Sequence, residues 1–432
     1  MSMAFEILRS LKEHAFPGST PRMPSFATTK EMAAMTGNII LGQTERKGGN
    51  LVHFPLSGSA ITIAACRTGK TSSLIIPNAA TWKGHLFVLD TGGEVFNAVG
   101  RQRSETRTVH RVEPFADSQE GRITMNPLEF IKGPEDVDTI VDLLVPHPRD
   151  HFRACAAHLI RGFLFMMCIH DPELLPPRDL VTMRAYLEML SSDEQDVTVS
   201  HMMHGGDISR NAITMLLSMG DKERRAVLST VKTLLSWLDI KPLARAVEES
   251  SFQNGVDEDL FVIVPPQYMD RAAPFLRLIV GVMAAVVMRR RPEEKPDHVL
   301  MLIDNAPEIG RVVPLMDAFR VGCPLKLSVW LFAQTIGRLE KAYGKETLAD
   351  MIGNAEFVNG FSFGIGDQGS SNWFSRALLP GTRDTVMMDH KEMLFLPRSP
   401  AMRTPMRIWQ ASCRERPEIR ALVDLDEDRA AA

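Results

Sequence analysis

Residues 64–71 read Ala64-Ala65-Cys66-Arg67-Thr68-Gly69-Lys70-Thr71, and the fold turns on what this octet is. An apolar run, Ala60 to Ala64, precedes it, and Ser72 to Ala80 reads as the opening of a helix. Strand, tight loop, helix is the setting of a phosphate-binding loop, whose backbone N–H groups and helix N-terminus surround negative charge. In such a loop Ala65, Arg67, Thr68 and Gly69 cradle the phosphates of ATP. Lys70 reaches the β- and γ-phosphates, and the Thr71 hydroxyl ligates Mg²⁺. The first position of the pattern G-x-x-x-x-G-K-[ST] is Ala64, and alanine fits there only if φ stays negative, so the start of the loop is expected to be slightly reshaped. A chance Gly-Lys-Thr in an ordinary turn is the alternative. The flanking strand and helix weigh against it, and so does an aspartate-ended strand further on.

That strand is His298 to Asp304 (HVLMLID), a buried apolar run. An aspartate at the C-terminal edge of a parallel sheet can hold the Mg²⁺ shell opposite the loop, although an aspartate there can also simply cap the next helix. Leu325 to Ala333 is a further buried strand with Gln334 at its tip. Gly84 to Asp90 has the same profile and turns through Thr91-Gly92-Gly93-Glu94 into a helix over 95–102. A hairpin, Ile39 to Gly42 and Leu51 to Phe54, precedes the loop strand. Strands are also expected at Val109 to Phe115, Asp259 to Val264, Phe357 to Phe363 and Met393 to Pro397, with a helix over 370–379. Between Pro134 and Phe252 apolar residues recur at three- and four-residue spacing over 137–144, 155–167, 180–190, 211–217 and 226–238, which reads as an inserted all-α block.

The expected division is therefore an N-terminal arm or linker (1–36), a nucleotide-binding domain in two parts (37–133 and 253–415) around the α block (134–252), and an acidic, flexible tail (416–432). The 432 residues carry a net charge of −4, 44% hydrophobic and 24% charged residues, the balance of a soluble globular protein without a global basic footprint. Five scattered cysteines without a C-x-x-C pair fit a reducing cytosol. The first fourteen residues lack a signal-peptide core, and the longest apolar stretch, Leu278 to Met288, is too short to cross a bilayer and reads as a buried helix. His147, His151, His158, His201 and His204 lack a matching acidic or cysteine set for a metal. Cys66, near Lys70 in the loop, reads as a small buried filler rather than a reactive thiol. The arginines within 101–107 and 289–291 read as solvated helix ends or the wall of a DNA channel.

Taken together, the chain resembles the type IV secretion coupling proteins, the TraG/TraD-type ATPases of bacterial conjugation. The residues that carry the resemblance span about 37–415. They are Ala65 to Lys70 with Ile75-Ile76-Pro77-Asn78, Val88-Leu89-Asp90, Glu113-Pro114-Phe115, Asn126-Pro127-Leu128, Val264-Pro265-Pro266-Gln267-Tyr268, Leu302-Ile303-Asp304, and Ala333-Gln334 with Leu339 to Gly344. The resemblance implies an α/β fold, a RecA/FtsK-like P-loop NTPase sheet with an inserted all-α domain. It also implies a hexameric ring that uses ATP and Mg²⁺ to move DNA, a relaxase–DNA complex or protein to a secretion apparatus. Asp304 then takes the Walker B role, Gln334 senses the γ-phosphate, and Arg320 is the arginine finger reaching a neighbouring subunit. Asn305 departs from the pattern, because the family places there the glutamate that polarises the attacking water. An amide can orient a water but cannot accept its proton. Glu308, one helical turn on, is a candidate substitute. The family's paired N-terminal membrane helices are not seen, so a cytoplasmic protein recruited by a partner to the inner face of the inner membrane is expected.

Overall fold

The computed structural model describes residues 26–425 apart from 119, 148, 172–176, 252–257, 292–296, 364–366, 380–387, 390 and 399–403. Its centre is an 11-stranded sheet. In chain order the strands are β1 (Ile39–Gln43), β2 (Leu51–Phe54), β3 (Ala60–Ala64), β4 (His85–Thr91), β5 (Val109–Val112), β6 (Asp259–Val264), β7 (Val299–Ile303), β8 (Leu327–Ala333), β9 (Phe357–Phe361), β10 (Glu392–Pro397) and β11 (Met406–Trp409). They lie in the order β2-β1-β11-β10-β9-β3-β8-β7-β4-β6-β5. From β9 to β5 every pairing is parallel, whereas β10, β11, β1 and β2 extend the β9 edge antiparallel.

The central strands are covered on both faces, so nearly every position is apolar and successive residues enter opposite cores. Along β7, Val299, Met301 and Ile303 join one core, and Leu300 and Leu302 join the other. The helix after the loop, α1 (Ile76–Thr81), continues a π-wound turn at Thr71–Ile75 and packs on the second face. Beside it lies α2 (Glu94–Ser104).

The first face carries the helical block: α3 (Pro134–Leu144), α4 (His151–Phe165), α5 (Leu180–Met189), α6 (Gln195–His204), α7 (Gly206–Ser218), α8 (Asp221–Leu234) and α9 (Lys241–Glu248). All five periodic segments hold a helix. Two of the helices, α6 and α9, lay outside those segments. Only Thr198 and Met202 of α6 are buried, so it offers no stripe to read, and α9 spans just eight residues. Asn126 ties this block to the sheet. Its Nδ2 donates to the carbonyls of Arg178 (2.7 Å) and Glu248 (3.2 Å), and its backbone N–H donates to Ser250 Oγ (2.8 Å).

Several sequence expectations need correction. The apolar stretch 278–288 is the second half of a 20-residue helix, α10 (Met269–Met288). With its preceding turn it covers 23 residues, and His151–His170 covers 20; both are long and apolar enough to cross a membrane by length and composition, yet 61% of each window is buried inside this fold. Strand β5 stops at Val112, because Pro114 has no N–H for the ladder. Arg103 is neither solvated nor on a channel wall. It is 4% exposed and paired with the fully buried Asp259. The tail is docked as far as it is described: Ile419 is buried, and the Asp424 N–H donates to the Ala98 carbonyl at 2.8 Å. The amphipathic segment at Phe5, Leu8 and Leu11 lies outside the described residues.

Candidate nucleotide-binding site

The loop leaves β3 with Ala64 fully buried and not among the positive-φ residues, as an alanine there requires. The tight turning falls three and five residues later. Arg67 has φ +58° and Gly69 φ +94°. The Thr68 hydroxyl donates to the Ala65 carbonyl at 2.8 Å and closes the turn. A side chain at Gly69 would meet Gln410 Oε1 at 2.8 Å as well as an unfavourable backbone, so glycine is required twice over. Lys70 is 8% exposed and folds back so that Nζ donates to the Ala64 carbonyl at 3.1 Å. The Thr71 hydroxyl, the Arg67 guanidinium and the Gln334 amide make no hydrogen bond or ion pair among the described residues. Such a donor set, one buried cation and an unpartnered hydroxyl beneath a loop of backbone N–H groups, fits a polyphosphate with a divalent cation. Cys66 is exposed at the loop tip, which corrects the expectation of a buried filler.

The parallel register brings the remaining groups to the same edge, the C-terminal ends of the strands, where ligands of open α/β sheets bind. Ile63 pairs with Ala333, so Gln334 sits at the strand tip beside the start of the loop. Ile303 pairs with Leu331 on one side and Leu89 on the other, so Asp304 lies beside Asp90. Both carboxylates are nearly inaccessible, at 9% and 1% exposure. Burial raises the Asp304 carboxyl above its ordinary value; the Lys70 charge and the Asn305 N–H (3.0 Å) lower it, while Glu94 adds to the rise. Burial pushes Asp90 up to about 7, opposed by the N–H groups of Phe96 (2.8 Å) and Val95 and reinforced by the charges of Asp304 and Glu94.

Asn305 adopts a left-handed backbone, φ +51° and ψ +40°, and its Nδ2 donates to Thr91 Oγ1 at 3.3 Å. Asn tolerates that conformation better than glutamate does. Glu308 lies in the following 3₁₀ turn and is paired with Arg338 at 2.5 Å. Arg320 sits in the last turn of α11 (Val313–Val321), largely exposed and 3.8 Å from Asp317; no contact joins it to Lys70 or Asp304 within the chain. Three residues at the site carried no predicted role. Asp90 could have been found, because GHLFVLD ends in an aspartate just as HVLMLID does; Glu94 reads only as a helix start. Gln410 could not. It arrives at the end of β11, where Ser73 Oγ donates to its Oε1 at 3.3 Å, and the nearby Cys413 N–H donates to the Ser72 carbonyl at 2.8 Å.

A mostly parallel sheet, a phosphate loop on a central strand and a buried aspartate two strands away define a RecA-like P-loop NTPase fold. The profile of the family described as "Type IV secretory system Conjugative DNA transfer" matches residues 26–378, and the chain belongs to that family. It is 25% identical over 354 residues to a conjugal transfer protein TraG of Escherichia coli, covering 74% of this chain and 55% of that protein. It is 21% identical over 334 residues to protein VirD4 of Rhizobium radiobacter, covering 69% and 45%. The chain thus spans about half the length of these relatives. Among solved structures, plasmid coupling protein TrwB in complex with ADP and Mg²⁺ superposes with a TM-score of 0.70 at 13% identity, over 92% of this chain and 96% of that one. VirB4 of Thermoanaerobacter pseudethanolicus gives 0.57 at 12% identity, over 89% and 98%.

Proposed function

We propose that this protein is an ATP-dependent coupling motor that delivers DNA, a relaxase–DNA complex or protein to a type IV secretion apparatus. The observation that carries the reading is the buried Lys70 beneath the phosphate loop, with the buried Asp304 carboxylate within its electrostatic reach. Ala65, Arg67, Thr68, Gly69 and Lys70 hold the phosphates, and Gln334 responds to the γ-phosphate from the neighbouring strand tip. Thr71 and Asp304 would hold Mg²⁺, which would supply charge neutralisation to the bound phosphates. The exposed Arg320 serves a neighbouring copy in a hexameric ring. We also propose the division into a nucleotide-binding domain (37–133 and 253–415) and an inserted all-α domain (134–252), and action on the cytoplasmic face of the inner membrane.

Asn305 favours one second reading, a nucleotide-binding adaptor with little hydrolysis. Steady-state ATP hydrolysis at several protein concentrations, with and without single-stranded DNA, tests both. The motor gives DNA-stimulated turnover that disappears in Lys70→Ala. The adaptor gives ATP binding without turnover, and turnover appears only in Asn305→Glu. Failure to bind ATP would overturn both.

A further inference from the structure

We propose that Glu94 is the carboxylate that activates the attacking water, replacing the glutamate missing at Asn305. The inference rests on the reading of the site as an ATPase.

Three other side chains near Asp304 are already committed. The Asn305 amide cannot take a proton and is bonded to Thr91. Glu308 is held by Arg338 at 2.5 Å. Asp90 is 1% exposed and accepts the Phe96 N–H, so it anchors the first turn of α2 from inside the fold. Glu94 is different on each count. It is exposed, and its carboxylate makes no hydrogen bond or ion pair among the described residues.

Its position follows from the backbone. Gly92 (φ +98°) and Gly93 (φ +81°) both lie where only glycine is comfortable, so the chain reverses within the turn and α2 begins at Glu94 on the strand tip. The Asn305–Thr91 hydrogen bond then clasps the tips of β7 and β4 together. Glu94 thereby lies just beyond the tip of β4, beside the tip of β7 that carries Asp304, on the same edge at which β3 leads into Lys70 and Thr71. In the reaction the water oxygen bonds to the γ-phosphorus while the bond from that phosphorus to the β,γ-bridging oxygen breaks. The electron pair leaves with ADP, and the proton of the water passes to the Glu94 carboxylate and on to solvent.

The test compares ATP turnover and ATP affinity in the native protein, Glu94→Gln, Glu308→Gln, Lys70→Ala and the pair Glu94→Gln/Asn305→Glu. Glu94→Gln should bind ATP about as well as the native protein while kcat drops about 10²–10⁴-fold. The double variant should recover at least about tenfold of that loss, because a carboxylate is restored on the facing strand tip. Native-like turnover in Glu94→Gln, with Lys70→Ala inactive, overturns the role of Glu94 and leaves the ATPase reading standing. Loss of turnover in Glu308→Gln but not in Glu94→Gln assigns the base to Glu308 and does the same. ATP binding without native turnover overturns the inference in favour of the adaptor, and absence of ATP binding overturns the underlying reading as well.

Discussion

Two buried aspartates on neighbouring strands, Asp259 and Asp90, lie at opposite ends of the sheet and are treated in opposite ways. Asp259, at the start of β6, is paired with Arg103 and accepts the Leu86 N–H at 2.9 Å. The same guanidinium donates to the carbonyls of Ala79, Trp82 and Gly84 at 2.8–2.9 Å, so the buried pair is fully partnered. Asp90, at the end of β4, has backbone donors but no cation of its own; the charges that act on it are two more carboxylates, Asp304 and Glu94. The first end locks the helix after the phosphate loop to the sheet. The second concentrates negative charge that a metal–phosphate ligand would relieve. The charge pair that steadies the fold and the carboxylates of the candidate site thus lie at opposite ends of neighbouring strands.

Removing the cation from the locked end should have the largest effect. Arg103→Met leaves Asp259 buried without its partner and three carbonyls without donors, and should cost about 3–5 kcal/mol in urea unfolding. A cost below about 1 kcal/mol would break the contrast, because it would mean that the end is not locked by charge. At the open end the sign reverses. A buried aspartate raised to about 7 holds its proton more tightly folded than unfolded, so its contribution to native stability declines as pH rises from about 4 through 7. Asp90→Asn should reduce that slope, leaving the part due to Asp304, and stabilise the ligand-free protein by about 2–4 kcal/mol at pH 8, read from thermal midpoints across pH 4–8.

His298 sharpens the comparison from the locked end. Burial, helped by the Lys326 charge, holds its imidazole down at about 4, and Nε2 lies 2.9 Å from Ser328 Oγ. Unfolding lets it take up a proton, so the contribution of His298 to stability is complete above about pH 6.5 and is lost as pH falls towards 4. His298→Gln should flatten that acid limb, a change of about 1–2 kcal/mol at pH 5. The smallest expected effect is that of Asn305→Glu on the fold itself. Placing a glutamate at φ +51° costs about 1 kcal/mol, visible as a slightly earlier urea midpoint whatever happens to turnover.

How much could be read from sequence follows the same division. The octet 64–71, the apolar runs ending at Asp90 and Asp304, and the strand delivering Gln334 are local patterns, and each matches an element in the structure. Groups that act across the fold left no local mark. Arg103 looks like any helix-end arginine until Asp259 meets it 156 residues away in sequence. Gln410 reaches the loop only because β11 closes the antiparallel edge. Strand β11 itself, four residues of alternating burial, is too short to stand out. Glu94 was legible as a helix start and no more, since its relation to Asp304 depends on strand order.

The placement of β3 between β8 and β9 also bears on how the protein is made. Thr62, beneath the phosphate loop, is bonded to Trp330 and Asn359, which follow it by 268 and 297 residues. A ribosome adding about 5–20 residues per second needs on the order of tens of seconds to supply those neighbours. Until then the loop strand lacks both of the strands it pairs with. Nascent chains released before about residue 360 should be unable to retain nucleotide. ATP binding would then also report that synthesis has run far enough to complete the central sheet.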